Sequence, residues 1–433
     1  MRTYATVLKG RDFRRLWLGA SMSTAGDAMT LIALTWLVLN RPGGTGRLGV
    51  LAVCYTAPVL VGGLAAGALL DRFDKRAVLA ADSVIRGTVV ASVPLLAAMG
   101  RLPSWLPFAV AATYGLSKMV PMAGVPAAIP DLVRPADLDA ANALESVSYA
   151  VSGIIGYTLA GTLIGAIGPE NVLALDAASF LVFATAALTV RRPLRHTDDG
   201  APRDATARRP RVSVLARDPV LVVTTLAFMT FNIAEGALTL VVGPWLAKGH
   251  LPGGPGTLSV LLGALSVGEL LGGAVAGAGR SGFNRLRAIA VAQITAALGF
   301  LAVIAVPHRA AVAAGFLLIG LFGVPMTVWA QSLRMERIPA PLRGRAFGML
   351  RTLMQATPPV GAAVVTPLLA HGHLGAAAAL MTVLAGLPAL ALLTLRAGAP
   401  TTSSRSDGVP GTGVEGVAVR LGGDADDTAE MGA

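Results

Sequence analysis

The segment GALLDRFDKRAVL, residues 67–79, places five charged residues between two long apolar stretches. The stretches before and after it, 48–70 and 77–99, are each about the 20 residues that a helix needs to cross a bilayer. Charged side chains in so short a connection are typical of the loop between two membrane-spanning helices. The segment therefore predicts a helical hairpin in a membrane.

The composition of the whole chain agrees with that interpretation. Of its 433 residues, 54% are hydrophobic and 14% are charged, whereas a soluble protein carries about 25% charged residues. Apolar stretches of sufficient length recur from end to end, so we predict an all-α membrane protein with twelve transmembrane helices. The predicted spans are 13–39, 48–70, 77–99, 104–129, 142–167, 170–190, 219–247, 256–279, 286–306, 310–333, 347–370 and 374–395.

The distribution of basic residues orients the chain. A net charge of +11 would suit a nucleic-acid partner, but the arginines lie in short loops between apolar spans. We therefore expect a multi-pass cell-membrane protein, bacterial by its arginine- and alanine-rich composition, with both termini cytoplasmic, no nucleic-acid partner and no removable signal peptide. In that orientation the only basic residues in the predicted outer loops are Arg41, Arg47, Arg101, Lys248 and Arg309.

The two halves of the sequence share one plan. The segment GGLAAGA at 62–68 returns as GGAVAGA at 272–278, and AMTLIALTW at 28–36 returns as ALTLVVGPW at 237–245. Parallel six-span halves indicate a transporter whose site lies between them near the midplane. We predict a six-helix half, a cytoplasmic linker, a second six-helix half and a disordered cytoplasmic tail, with bounds 1–190, 191–218, 219–396 and 397–433.

The loop at 67–79 resembles the cytoplasmic signature of the major facilitator superfamily, G-x-L-A-D-R-x-G-R-K-x-x-L. Lys75 and Arg76 hold its two basic positions, while Asp74 replaces its second glycine. The segments ADSVIRG at 81–87 and PLRGRAFG at 341–348 are similar to the branch that contains drug, macrolide and siderophore exporters. The positions that match outright are Gly67, Leu69, Asp71, Arg72 and Leu79.

The resemblance implies a gating role for this loop. It implies that Asp71 faces the positive N-terminal end of the eleventh helix and that Lys75 pairs with Asp131. Asp82 and Arg86 share a helical face by their i, i+4 spacing and can neutralise each other. The alternative is that these charges only mark the cytoplasmic edge. Glu145 and Arg351, near the inner ends of spans five and eleven, are also gating candidates.

Span five gives a weaker indication of antiport. The segment SGIIGYTLAG at 152–161 is similar to the antiporter motif G-x-x-x-G-P-x-x-G-G, but Tyr157 stands where proline is expected. Ordinary close packing of small residues explains the segment equally well.

Four charges fall at mid-depth in predicted spans: Asp27, Lys118, Glu235 and Glu269. An acid at the centre of a bilayer costs about 2.5–3.5 kcal/mol even on insertion scales, so such residues are functional candidates. In the superfamily fold all four spans line the central cavity. Helical spacing adds Asn232 beside Glu235 and Tyr114 beside Lys118, whereas Asp82 and Asp176 are expected on outer spans nearer a membrane edge. Lys118 can instead neutralise an acid, and Glu269 can simply pack.

These residues lead to a functional hypothesis. The sequence predicts a proton-coupled exporter of amphipathic drugs or natural products, with Asp27 as the principal proton-binding acid and Glu235 as the second. A carrier for a specific metabolite or siderophore is the alternative. A membrane enzyme has less support, because the five histidines lie in loops or at span ends. A non-transporting sensor also has less support, because we expect no large cytoplasmic domain. We expect a monomer in the lipid bilayer that binds a small molecule and protons, without a metal or cofactor.

Overall fold

A computed structural model describes residues 2–191, 194, 218–277, 284–338, 350, 353–354 and 356–395. Within these ranges the chain is helical and contains no β-strand. Almost all of the predicted linker, the whole predicted tail, the segment 341–348 and Arg351 lie outside the described residues.

The first set of helices, α1 to α9, precedes the predicted linker. Their bounds are α1 Arg2–Lys9, α2 Arg11–Leu39, α3 Gly44–Thr56, α4 Val59–Arg72, α5 Lys75–Ala98, α6 Leu106–Ser117, α7 Met119–Leu132, α8 Leu138–Ile167 and α9 Pro169–Leu188.

The second set, α10 to α16, follows the linker. Its bounds are α10 Pro219–Ala237, α11 Gly243–Gly249, α12 Gly254–Gly277, α13 Arg285–Gly299, α14 Arg309–Arg337, α15 Pro358–Ala370 and α16 Leu374–Thr394. A π-helical turn at Leu238–Val242 joins α10 to α11.

Ten helical segments in the described part of the chain are long and apolar enough to cross a membrane. They correspond to ten of the twelve predicted spans, with α3 and α4 forming one of them. The fourth predicted span is divided into α6 and α7, which meet at a turn at Lys118. The eleventh contains α15, while most of its predicted first turns lie outside the described residues.

Helix ends follow local chemistry. The Asp74 carboxylate accepts a hydrogen bond from the Arg76 backbone N–H and begins α5; Asp218 does the same for Val220 and Leu221 at the start of α10. Such caps satisfy amide groups that have no partner within the helix. Gly168, with φ of 83°, lets the chain reverse between α8 and α9.

Close packing within the first set brings α2 against α8 and α9, and α5 against α9. Gly26 of α2 permits the approach of α9, because a Cβ atom there would collide with the Asp176 carboxylate. Gly156 of α8 lies against the backbone of Ala25. Small residues in α8 therefore serve close helix packing, as one of the two interpretations of span five predicted.

The two sets meet through α8 against α12 and α3 against α15. The Gly161 amide donates a 2.8 Å hydrogen bond to Ser259 Oγ, Gly49 approaches Thr366, and Gly254 lies against the Trp36 ring. Because the helices alternate in direction, these contacts all lie toward the membrane face opposite the start of α2. At that face the described helices hold the two sets together.

Candidate functional site

Asp27 and Arg86 form an ion pair between α2 and α5. Arg86 Nη1 lies 3.2 Å from Asp27 Oδ1 and 3.3 Å from Oδ2. The arginine side chain is 1% exposed, whereas the aspartate side chain is 30% exposed. The pair therefore has a buried cation and an acid that remains partly accessible.

Arg86 has a second acidic partner on its own helix. Its Nε donates a 2.9 Å hydrogen bond to Asp82 Oδ2, and Nη2 lies 2.8 Å from the same oxygen at an angle that forms no hydrogen bond. The guanidinium carbon lies 4.4 Å from the ring centre of Phe180 and 5.9 Å from that of Tyr114. Two carboxylates and two aromatic rings thus hold this cation.

Asp176 forms a second polar centre beside this pair. It is fully buried on α9 and accepts hydrogen bonds from Thr30 at 2.6 Å, from Ser179 at 2.9 Å and from the Tyr114 hydroxyl. Three hydroxyl donors compensate much of the desolvation of this acid.

The structure differs here from three sequence-based expectations. Asp82 and Asp176 were expected near a membrane edge on outer spans, but both are buried beside the mid-depth acid Asp27. Tyr114 was expected to line a polar stripe with Lys118, but it is 3% exposed and binds Asp176. The reason is that α9 packs against both α2 and α5, which encloses Asp82 and Asp176, while Tyr114 reaches Asp176 from α6.

Lys118 lies at the break between α6 and α7. Its Nζ is 5.9 Å from the ring centre of Tyr55, and that ring stacks on Tyr114 at 6.0 Å. A cation over an aromatic face is stabilised by about 0.5–2 kcal/mol. The lysine is therefore connected to the Arg86 cluster through two aromatic rings.

A second acidic region lies among α10, α12 and α14. Glu235 and Glu269 line one cavity of about 110 Å³ together with Asn232 and Thr327. The apolar part of its wall comes from Phe228, Phe231, Ile319 and Val324. Asn232, Glu235 and Glu269 therefore contribute to the wall of the same cavity, and their role in binding remains a prediction.

Tyr157 of α8 links the two acidic regions. It lies within electrostatic range of Glu269, Asp27 and Glu235. Asp27 of the first set and the two glutamates of the second set therefore lie around the same residue of α8.

The loop before α5 is organised by its three charged residues. Lys75 Nζ lies 2.8 Å from Asp131 Oδ2, which is the pair that the family resemblance implies. Arg76 donates to Asp74 at 2.7 Å and to the Val190 carbonyl at 2.7 Å. The hydrogen bonds from Arg76 lower the pKa of the Asp74 carboxyl below its ordinary value.

Asp74 also explains how the loop departs from the family signature. It has φ of −61°, which any residue adopts, so the turn does not require the glycine of the signature. Asp71, Arg72 and Gly67 lie on the last turns of α4, where both charged residues are exposed. The predicted partner of Asp71, the start of the eleventh helix, lies outside the described residues.

Comparison with known proteins assigns the chain to a family. The sequence matches the family described as Transmembrane secretion effector, MFS_3, over residues 3–415. The chain belongs to this branch of the major facilitator superfamily. Membership of this family makes the protein a multi-pass membrane transporter of small molecules.

Two bacterial relatives cover most of this transporter. The multidrug efflux pump Tap of Mycobacterium tuberculosis is 26% identical over 397 residues, which cover 87% of this chain and 92% of that protein. An uncharacterized MFS-type transporter, y4rN, of Sinorhizobium fredii is 26% identical over 374 residues, covering 84% and 89%.

Solved structures share the fold of the transporter. The nucleoside transporter NupG superposes with a TM-score of 0.69 at 12% identity, covering 88% of this chain and 99% of NupG. A POT family transporter in complex with 5-aminolevulinic acid gives a TM-score of 0.71 at 11% identity, covering 89% and 96%. At such identities the likeness establishes the fold alone.

Proposed function

We propose that this transporter is a proton-coupled exporter of amphipathic drugs or natural products that works by alternating access. In this proposal twelve spans form two six-helix halves, both termini are cytoplasmic, and the protein acts as a monomer. The observation that carries the proposal is the partly exposed Asp27 carboxylate, which is paired with a buried arginine and, like Glu235 and Glu269, lies within electrostatic range of Tyr157. The likeness to Tap supports efflux as the direction and drugs as the solutes.

The chemistry of Asp27 supports proton coupling. A carboxyl group in a wet pathway inside a membrane protein can take up a proton from one side and release it to the other. Each charge that moves through the full membrane potential gains about 2.3 kcal/mol per 100 mV. Asp27 is then the principal coupling acid and Glu235 the second, with Glu269 and Asn232 completing the solute-binding wall.

The contacts between the two sets support alternating access. Gly161, Ser259, Gly49 and Thr366 join the sets at one membrane face. Opening that face requires these contacts to separate. In the proposed cycle the loop at 67–79 stabilises the opposite arrangement through Asp71, Arg72, Arg76 and the Lys75–Asp131 pair.

A specific metabolite or siderophore is the second candidate solute. The observation in its favour is the small size of the cavity at Glu235 and Glu269, about 110 Å³. Its fixed carboxylate and amide groups suit a compact polar molecule or one polar end of a larger solute.

A drug-susceptibility panel in an efflux-deficient bacterial host tests the proposal. The wild-type protein should raise resistance to several amphipathic compounds, and an equally expressed Asp27→Asn variant should not. Resistance restricted to one compound class would favour the specific carrier. Equal resistance in the wild-type and Asp27→Asn strains would contradict the proposed coupling.

A further inference from the structure

Arg86 is paired with more acid than one cation requires. The guanidinium group carries one positive charge, yet Asp82 and Asp27 both contact it. Asp82 is buried beside the arginine, whereas the Asp27 side chain is 30% exposed. Both acids therefore contact the same cation, but one of them is buried and the other is partly exposed.

The third acid in the region is satisfied separately. Asp176 accepts hydrogen bonds from Thr30, Ser179 and Tyr114, so it has its own donors. Arg86 thus has one buried partner, Asp82, on the same helix at i, i+4, and one partner on another helix, Asp27, whose side chain is partly exposed.

The groups that face Asp27 come from every side of α2. Arg86 and Asp82 face it from α5 and Asp176 faces it from α9. Three phenol groups complete the surroundings: Tyr55 of α3, Tyr114 of α6 and Tyr157 of α8.

We propose that Asp82 is the resident counter-ion of Arg86 and a positioning residue that frees Asp27 to exchange its proton. This inference rests on the proposed function. When Asp27 is protonated, the Asp82 carboxylate keeps the buried guanidinium neutralised. When Asp27 releases its proton, its carboxylate returns to Nη1, and Arg86 never becomes an isolated buried charge.

The energetics explain why a second acid is needed. Leaving a buried cation without a partner is strongly unfavourable, because its lost hydration is then not compensated. If Asp27 were the only partner of Arg86, that cost would oppose every protonation of Asp27. With Asp82 in place, protonation of Asp27 costs only the weaker contact between Arg86 and the partly exposed Asp27 carboxylate.

Charge variants separate this role from a purely structural one. Asp82→Asn makes Asp27 the sole partner of Arg86, so protonation of Asp27 should require a lower pH by about one to three units, the effect of one nearby charge. Arg86→Gln removes the cation and should move the midpoint of Asp27 protonation to higher pH. The double variant Asp82→Asn/Arg86→Gln removes one charge of each sign, so its midpoint should lie below that of Arg86→Gln and closer to the wild-type value.

The midpoint can be measured without a transported solute. Dicyclohexylcarbodiimide reacts with protonated carboxyl groups: the acid adds across one C=N bond to give an O-acylisourea, which rearranges to a stable N-acylurea. The full-length protein in lipid vesicles is incubated with this reagent between pH 5 and pH 9. Mass spectrometry then measures the adduct on the peptide that contains Asp27, with Asp27→Asn as the blank.

A matched control uses a second buried pair of the described residues, Arg337 with Asp218, whose side-chain atoms lie 3.0 Å apart. Asp218→Asn should leave the midpoint of Asp27 unchanged. If Asp82→Asn does not fold, the Arg86→Gln variant and the double variant still decide, because they must differ by at least about one pH unit.

An Asp27 midpoint that is the same in the wild type and in all three charge variants would overturn the inference, and so would an adduct that does not depend on pH. The proposed function fails on a different result, namely coupled transport by Asp27→Asn. The two failures are therefore distinguishable.

Discussion

Asp27 of α2 and Arg86 of α5 form an ion pair in which the arginine is buried and the aspartate remains accessible. The helix that provides the arginine begins at Lys75, whose ammonium group contacts Asp131. Eleven residues of helix separate Lys75 from Arg86, or about 16 Å. One helix therefore connects the loop at 67–79 to the residue that pairs with Asp27, so a shift of α5 can couple the proposed gating to proton binding.

The Lys75–Asp131 pair gives the first prediction. Its lysine side chain is 7% exposed and its aspartate 36%, which places it between surface pairs, worth about 0–1 kcal/mol, and buried pairs, where loss of one partner costs about 3–5 kcal/mol. Asp131→Asn should slow transport, and the exchanged variant Lys75→Asp/Asp131→Lys should recover part of the rate. Asp139→Asn, at an exposed acid nearby, is the control. Equal rates for Asp131→Asn and the control would contradict a role for the pair.

Asp71 gives a prediction of a different kind. The acid is exposed on the last turn of α4, and the resemblance implies that it faces a helix N-terminus, an interaction worth about 0.3–2 kcal/mol. Asp71→Asn should express and insert normally but lose most transport, because that energy can shift a balanced conformational equilibrium. Uptake assays at matched expression measure this. Wild-type transport by the variant would exclude the proposed role of Asp71.

Gly26 should be essential for packing. A methyl group there would collide with the Asp176 carboxylate and lie 2.6 Å from Ser179 Oγ. Overpacking of this kind costs about 1–3 kcal/mol, and the cost should rise because it disturbs a buried acid. Gly26→Ala should lower the thermal unfolding temperature in detergent, whereas Gly153→Ala, which meets open space, should not. Equal unfolding temperatures for the two variants would show that α2 can move away from α9 and make room for the methyl group.

Gly161 tests the contact between the two sets of helices. A methyl group there would strike Ser259 Oγ and the Pro255 carbonyl, while one at Gly165 on the same helix meets no atom within 4 Å. Gly161→Ala should therefore favour separation of the sets at this face, and Gly165→Ala should not. Spin labels at Arg41 and Lys248, on a Cys54→Ser background, report the distance by pulsed electron resonance. An unchanged distance distribution in Gly161→Ala would contradict this role.

Much of the fold follows from the sequence because apolar length and loop charge are local properties. Ten of the predicted spans coincide with helices, and the Lys75–Asp131 and Asp82–Arg86 pairs are present. The division of the fourth span at Lys118 was not predicted. A run of apolar residues indicates that a segment is helical. Whether that helix breaks at one particular turn depends on the helices that pack around the turn.

The partners of the buried acids were harder to predict. Arg86 lies 59 positions from Asp27 in the chain, and no spacing rule connects residues on different helices. Thr30 and Ser179 were not identified as partners of Asp176. One local signal existed: Asp176 and Ser179 are three residues apart on an otherwise apolar helix, which places both on one face.

Transport by Asp27→Asn in proteoliposomes tests the central claim most directly. Vesicles that contain the wild type should accumulate an amphipathic cation such as ethidium against its concentration gradient when a pH gradient is imposed. Vesicles with Asp27→Asn should show only downhill movement of the same solute, because the variant cannot exchange a proton at that position. Uphill accumulation by Asp27→Asn in response to the pH gradient would contradict the account.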